Sequence, residues 1–278
     1  MSAAITHQRP ASEATRDVTG RGAFLKDALL VAKKEVRESL FGVRGSMWAV
    51  VSALVLSLMS YLLLTDKELS LLDQSEMLYI VTSLSVGLGM VVTGILAGDS
   101  VAGERERSTL ESILLSPIRL GSLLAGKVGA VIAGWLLIFA VSAPYILVVG
   151  AGSTVAFPAL VYTFVLGTLC VGGFAALVVG MSSLARSGRG VTLGALAIFL
   201  GMAAPTLLGT VLQKSWFGTI YNALSPFAQA RLSLDLVIVD KETLLMQLPH
   251  MAALAGFAAL AVVFLAFAAK RISFEGGE

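Results

Sequence analysis

Six long apolar stretches, none containing Asp, Glu, Lys or Arg, constrain this 278-residue chain more than any other feature. They cover residues 46–64, 77–98, 128–149, 158–184, 191–212 and 248–269. Each approaches or reaches the roughly 20 residues that a helix needs to cross ~30 Å of hydrocarbon. In lipid only helices and closed barrels satisfy every backbone group, and these runs lack the period-2 alternation of barrel strands. The expected fold is therefore an all-α membrane protein with six transmembrane helices. Composition agrees, with 56% hydrophobic and 14% charged residues, against roughly 25% charged in soluble domains. No stretch left between the spans is long enough to fold as a separate soluble domain.

The distribution of charge sets an orientation. Eight Lys and Arg precede the first span, four lie between the second and third, two between the fourth and fifth, and two follow the sixth. Sixteen of twenty basic residues thus share one side, leaving Lys67, Lys214, Arg231 and Lys241 for the other. The positive-inside rule places both termini in the cytoplasm, and an even number of spans requires the ends to share a side. The expected location is the cell inner (cytoplasmic) membrane, multi-pass. Residues 1–22 lack the apolar core of a cleavable signal and read as a mobile tail, so the first span serves as targeting signal. The transmembrane domain is then 23–278, and the single Cys170 is a small packing residue.

Between Phe24 and Phe41, Leu25, Ala28, Leu29, Ala32, Val36 and Leu40 recur at helical spacing, with Lys26, Lys33, Lys34 and Arg37 on the other side. This pattern predicts a basic amphipathic helix at the interface, either a plain anchor or an elbow that also meets a partner. Residues 213–247 fall outside by this topology yet are rich in apolar side chains, including Trp216, Tyr221 and Phe227. Pro226 and Gly218 argue against a seventh span, and short helices dipping back toward the membrane are expected. Pro144 and Pro205 permit kinks. Gly94 with Gly98, and Gly190 with Gly194, permit close helix approach within one chain or between two.

One cytoplasmic loop stands apart. Glu104, Arg105, Glu106 and Arg107 alternate in sign and read as a water-exposed extension of the second span. Ser108 followed by Glu111 has capping-box spacing. A helix starting there presents Leu110, Ile113 and Leu114 on one face and ends before Pro117. So short a helix is marginal alone. Its apolar face needs either the membrane interface or a groove on another protein.

The run Glu104-Arg105-Glu106-Arg107-Ser108-Thr109-Leu110-Glu111-Ser112-Ile113-Leu114-Leu115-Ser116-Pro117-Ile118, followed by Gly126-Lys127, resembles the signature loop of ABC-2 type transporter permeases. Ser108 stands where that family usually has Gly. The likeness extends to Lys34-Glu35 in the basic N-terminal helix, to the six spans, and to Leu224-Ser225-Pro226-Phe227 before the last span. The resemblance implies the membrane half of a pump, with an elbow helix carrying Lys33, Lys34 and Arg37. It implies a coupling helix between the second and third spans, docked on a separate ATPase. Glu104, Arg105, Glu106, Arg107, Ser108, Thr109, Leu110, Glu111, Ile113, Leu114 and Pro117 would form or shape it. Tyr221, Pro226 and Phe227 would belong to re-entrant helices closing the pathway before the sixth span.

No GxxxxGK[ST] loop occurs in the chain, so no cofactor is expected on it, and ATP and Mg would be used by the partner ATPase. A second permease copy or paralogue and membrane lipid are the other expected partners; nucleic acid is not. The alternative is an ion-gradient-driven secondary transporter or channel, but such proteins usually carry ionisable residues within their spans. An intramembrane enzyme would need an activated nucleophile, paired carboxylates or metal ligands, which the spans lack. A non-transporting membrane assembly factor is the remaining class. An uncharged pathway leaves the cargo open.

Overall fold

The computed structural model describes residues 21–40, 42–66, 72–108, 120–207, 215–242 and 244–275. Among them the regular structure is helical: α1 (Arg21–Leu40), α2 (Val43–Thr65), α3 (Gln74–Asp99), α4 (Ala102–Glu106), α5 (Leu120–Val149), α6 (Ala156–Leu184), α7 (Gly188–Leu207), α8 (Trp216–Leu224), α9 (Pro226–Ile238) and α10 (Leu248–Glu275). A 3-10 turn, Leu244–Gln247, precedes α10. The multi-pass membrane reading follows from these helices.

Among the described residues, five helices are long and apolar enough to cross a bilayer: Gly45–Thr65, Gln74–Glu106, Leu120–Val149, Ala156–Leu184 and Leu248–Arg271. Six were expected. The fifth expected run yields a shorter apolar helix, Gly188–Ala204, because the end of that run lies outside the described residues.

α3 and α6 form the centre and are mostly buried, whereas α2 and α10 are mostly exposed. The outer helices leave large apolar side chains exposed, such as Leu54 and Leu260, a surface that a bilayer would cover without penalty. α3 packs on α5, α6 and α7, while α10 lies along α6. Glycine makes these approaches possible, since close helix contact in lipid depends on small residues rather than on a hydrophobic drive. A Cβ on Gly89 would sit 2.3 Å from the Trp135 ring, and one on Gly167 would sit 2.5 Å from it. Trp135 is thereby clamped between α3 and α6, and its indole N–H donates to Thr168 Oγ1 at 3.0 Å. Seven residues apart on α6, Gly173 and Gly180 receive Phe257 and Phe264 of α10, each 2.8 Å from a would-be Cβ.

The two glycine pairs read from the sequence divide. A Cβ on Gly98 would lie 2.4 Å from Thr192 Oγ1 and one on Gly94 would lie 3.3 Å from Phe174, so this pair serves packing within the chain. Gly190 and Gly194 meet only ordinary contacts, at 3.7 Å and 3.8 Å.

The stretch before α10 forms two short helices broken at Ser225-Pro226, in keeping with the expected helical reading. Ser225 Oγ accepts from the Ala228 amide at 3.2 Å and donates to the Met202 carbonyl at 2.6 Å. Pro226 then fits the first turn, where its missing N–H costs nothing. α9 is no solvated loop: Pro226, Phe227, Ala230, Leu234 and Ile238 are buried, packed against α3, α6, α7 and α10. The Tyr221 hydroxyl donates to the Gly201 carbonyl, and Phe227 meets Phe199 edge-on at 5.6 Å.

Candidate functional site: a charged knot at one end of the bundle

The alternating charges after α3 do not face water as a set. Each engages a different element. α3 stops at Asp99, and the chain bends through Ser100 and Val101 into the five-residue α4. A bend inside a buried helix leaves backbone groups that must be satisfied. Ser182 of α6, fully buried, does this with one hydroxyl. It donates to the Gly98 carbonyl at 2.8 Å and accepts from the amides of Val101 at 3.2 Å and Ala102 at 3.0 Å.

From that bend the four charges fan out. Glu104 Oε1 lies 2.8 Å from Lys127 Nζ on α5. The Arg105 guanidinium donates to the carbonyls of Ala185 at 2.8 Å and Ser183 at 3.0 Å, at the C-terminal end of α6. Glu106 Oε1 accepts from the Gly188 amide, at the start of α7, at 3.1 Å. Arg107 pairs with Asp99 at 3.0 Å. The alternation has a local cause. A helix C-terminus carries partial negative charge and the next N-terminus partial positive charge; Arg105 and Glu106 meet those two ends across the turn at 185–187. The water-exposed extension expected from sequence holds for Glu106 and Arg107, which are exposed, and not for Glu104 and Arg105, which are half-buried; all four side chains bond within the chain.

Lys127 is the centre of the knot. It is 1% exposed and reaches three acceptors: Glu104, Glu35 of α1 at 3.1 Å, and the Ser100 carbonyl at 2.7 Å. Three N–H donors meet three oxygens. The sequence places Lys127 only as a cytoplasmic charge and as part of a Gly-Lys pair, and nothing in hydropathy marks it as buried. The available signal is that pair: a Cβ on Gly126 would lie 2.7 Å from the Ala28 carbonyl of α1. Gly126 lets α1 approach and Lys127 then binds Glu35 on the same helix. α1 is consequently docked on α5, and Leu25, Leu29 and Leu30 face outward from the chain. Lys33, Lys34 and Arg37 line a shallow groove on its exposed side with Leu30, Glu38 and Gly42.

Ser108 also differs from expectation. Its φ is +56°, and its amide donates to the Arg105 carbonyl at 3.1 Å. An N-cap residue has extended backbone; Ser108 instead adopts the left-handed conformation that ends a helix, here α4. The usual glycine at this position follows from the same geometry. Thr109, Leu110, Glu111, Ile113, Leu114 and Pro117 lie outside the described residues. Tyr221 lies on α8, and Pro226 and Phe227 begin α9. No group of three or more His, Cys, Asp or Glu able to hold a metal ion occurs among the described residues.

Beside the knot a cavity of about 810 Å³ opens between α1, α2, α3, α5 and α7. Glu35, Glu38, Glu104, Lys127, Arg107 and Arg189 line part of it, and Met47, Trp48, Leu96, Val131 and Leu193 another.

A family model described as "ABC-2 family transporter protein" matches residues 29–276. No curated protein matches the chain.

Proposed function

This chain belongs to the ABC-2 family of transporter proteins, and from that membership we propose that it is the permease subunit of an ABC exporter. It works in the cell inner membrane with both termini cytoplasmic, and the charged knot lies on the cytoplasmic side, where sixteen of twenty basic residues fall. A separate ATPase subunit binds ATP and Mg and supplies the energy. The observation that carries this reading is the match over nearly the whole chain, including the segment 104–118.

The geometry supports a mechanical role for that segment. The Glu104–Lys127 ion pair spans 23 residues of sequence and ties together the two sides of the interval holding 109–119. Glu35 brings α1 into the same tie. A coupling element mounted on such a clamp transmits a push to α3, α5 and α1 together instead of absorbing it locally. ATP-driven closure of the ATPase pair then moves the elements bearing Glu104, Lys127 and Glu35 as a unit. The spans of two permease copies, identical or related, change which side of the pathway is open. Shifting such an equilibrium from one extreme to the other requires about 5.5 kcal/mol of differential binding, within reach of a nucleotide-driven closure. Tyr221, Pro226 and Phe227 form the outer gate in this scheme.

The test uses Glu111→Lys combined with Leu114→Lys. Co-purification of the ATPase is expected to be lost while membrane insertion is kept. Undiminished co-purification overturns the docking role.

A further inference from the structure

We propose that the 810 Å³ cavity beside the knot is a binding site for a zwitterionic phospholipid, with its headgroup between α1 and α7 and its tail in the bilayer. Its volume falls in the range of small-molecule sites, roughly 300–1,000 Å³.

The choice of ligand comes from which charges are already taken. Lys127 spends its three donors on Glu35, Glu104 and the Ser100 carbonyl, and Arg107 is held by Asp99. The remaining lining charges are of opposite sign on different walls. On α1, Glu35 bonds Lys127 through Oε1 and Glu38 has only a loose contact with Lys34, at 4.0 Å. On α7, exposed Arg189 makes no ion pair among the described residues. An ammonium fits the α1 wall and a phosphate fits the guanidinium, which recognises phosphate bidentately. A purely anionic or purely cationic headgroup satisfies one wall and meets like charge on the other. Met47, Trp48 and Leu193 supply apolar surface. Val43 is 86% exposed and Leu193 68% exposed at the edge, which gives an acyl chain an apolar exit into the membrane. This inference stands apart from the pump reading, since it needs neither the ATPase nor a second copy.

The experiment is equilibrium binding to the purified full-length permease alone, in detergent, with lysophosphatidylethanolamine and lysophosphatidylglycerol of equal chain length. Saturable binding of the ethanolamine lipid is expected, with the glycerol lipid about tenfold weaker, the loss equivalent to one well-placed charge contact. Glu38→Gln and Arg189→Gln, both at exposed side chains, should each weaken the ethanolamine lipid, and Leu193→Trp should block it by filling the edge. Leu260→Trp on α10, which is 72% exposed and does not line the cavity, should leave binding unchanged. Equal affinity for the two lipids overturns the proposal, as does equal weakening by Leu260→Trp, which would mark general lipid coating. Failure of all these arms would leave ATP-driven transport untouched.

Discussion

Lys127 concentrates the residue-scale energetics. An ammonium 1% exposed carries a desolvation penalty of several kcal/mol, offset here by two carboxylates and a carbonyl. Removing one partner of a buried pair is far worse than removing both, because the survivor keeps the penalty without compensation. Lys127→Met is therefore expected to destabilise the protein by about 3–5 kcal/mol, read as a lowered melting temperature in detergent. Adding Glu35→Gln and Glu104→Gln to that variant should recover part of the loss, and no recovery would argue against the ion pairs as the cause. Ser182→Ala should cost about 1–3 kcal/mol, since it strands buried amides and a carbonyl at the α3–α4 bend. In contrast, Ser108→Gly should stabilise by up to about 1 kcal/mol, because glycine adopts the φ of +56° without the Cβ penalty. A melt unaffected or lowered by Ser108→Gly would count against left-handed backbone at this position.

At the scale of elements, α4 is five residues long and cannot hold itself together by its own hydrogen bonds. Its place is fixed by what it joins: α5 through Glu104, the end of α6 through Arg105, the start of α7 through Glu106. α9 shows the same dependence on neighbours, and it carries an internal acid. Burial chiefly, with Asp240 and Glu76 adding, holds the Asp235 carboxyl above the usual carboxylate range, and Arg231 opposes them. A raised native value means that the folded state binds its proton more tightly than the unfolded chain does. Stability should then fall as pH rises from the ordinary carboxylate range through the raised value. Asp235→Asn should remove that slope, visible as a flatter melting temperature against pH. A slope kept intact in the variant would assign it to another group.

The whole molecule is organised by a division between protein-facing and lipid-facing helices. α3 and α6 are enclosed by the rest of the chain, whereas α2 and α10 leave most of their apolar surface uncovered by it. The proposed orientation puts the short turn after α5 on the outer side, and it can be probed directly. Thr154→Cys places a thiol at an exposed position of that turn, while the native Cys170 is fully buried. A membrane-impermeant thiol reagent should label Thr154→Cys in intact cells. Labelling only after the membrane is opened would invert the topology and move the knot to the opposite face.

Hydropathy and short motifs determined a good deal by themselves: a helical membrane protein, its family, the helix at the N-terminus, and short helices in place of a further span over 213–247, although Gly218, expected to interrupt them, lies inside α8. These features depend on local composition, which a bilayer reads directly. The partners of charged residues could not be read in that way. Glu104, Arg105, Glu106 and Arg107 look like a solvated stretch in one dimension, and Lys127 looks like one more cytoplasmic cation. Only the folded arrangement brings Glu35, 92 residues from Lys127 in sequence, to the same ammonium and sets the ends of α6 and α7 beside Arg105 and Glu106. Electrostatic pairing depends on distance in space, and helix packing, enforced by glycines such as Gly98 and Gly126, decides which charges come within reach.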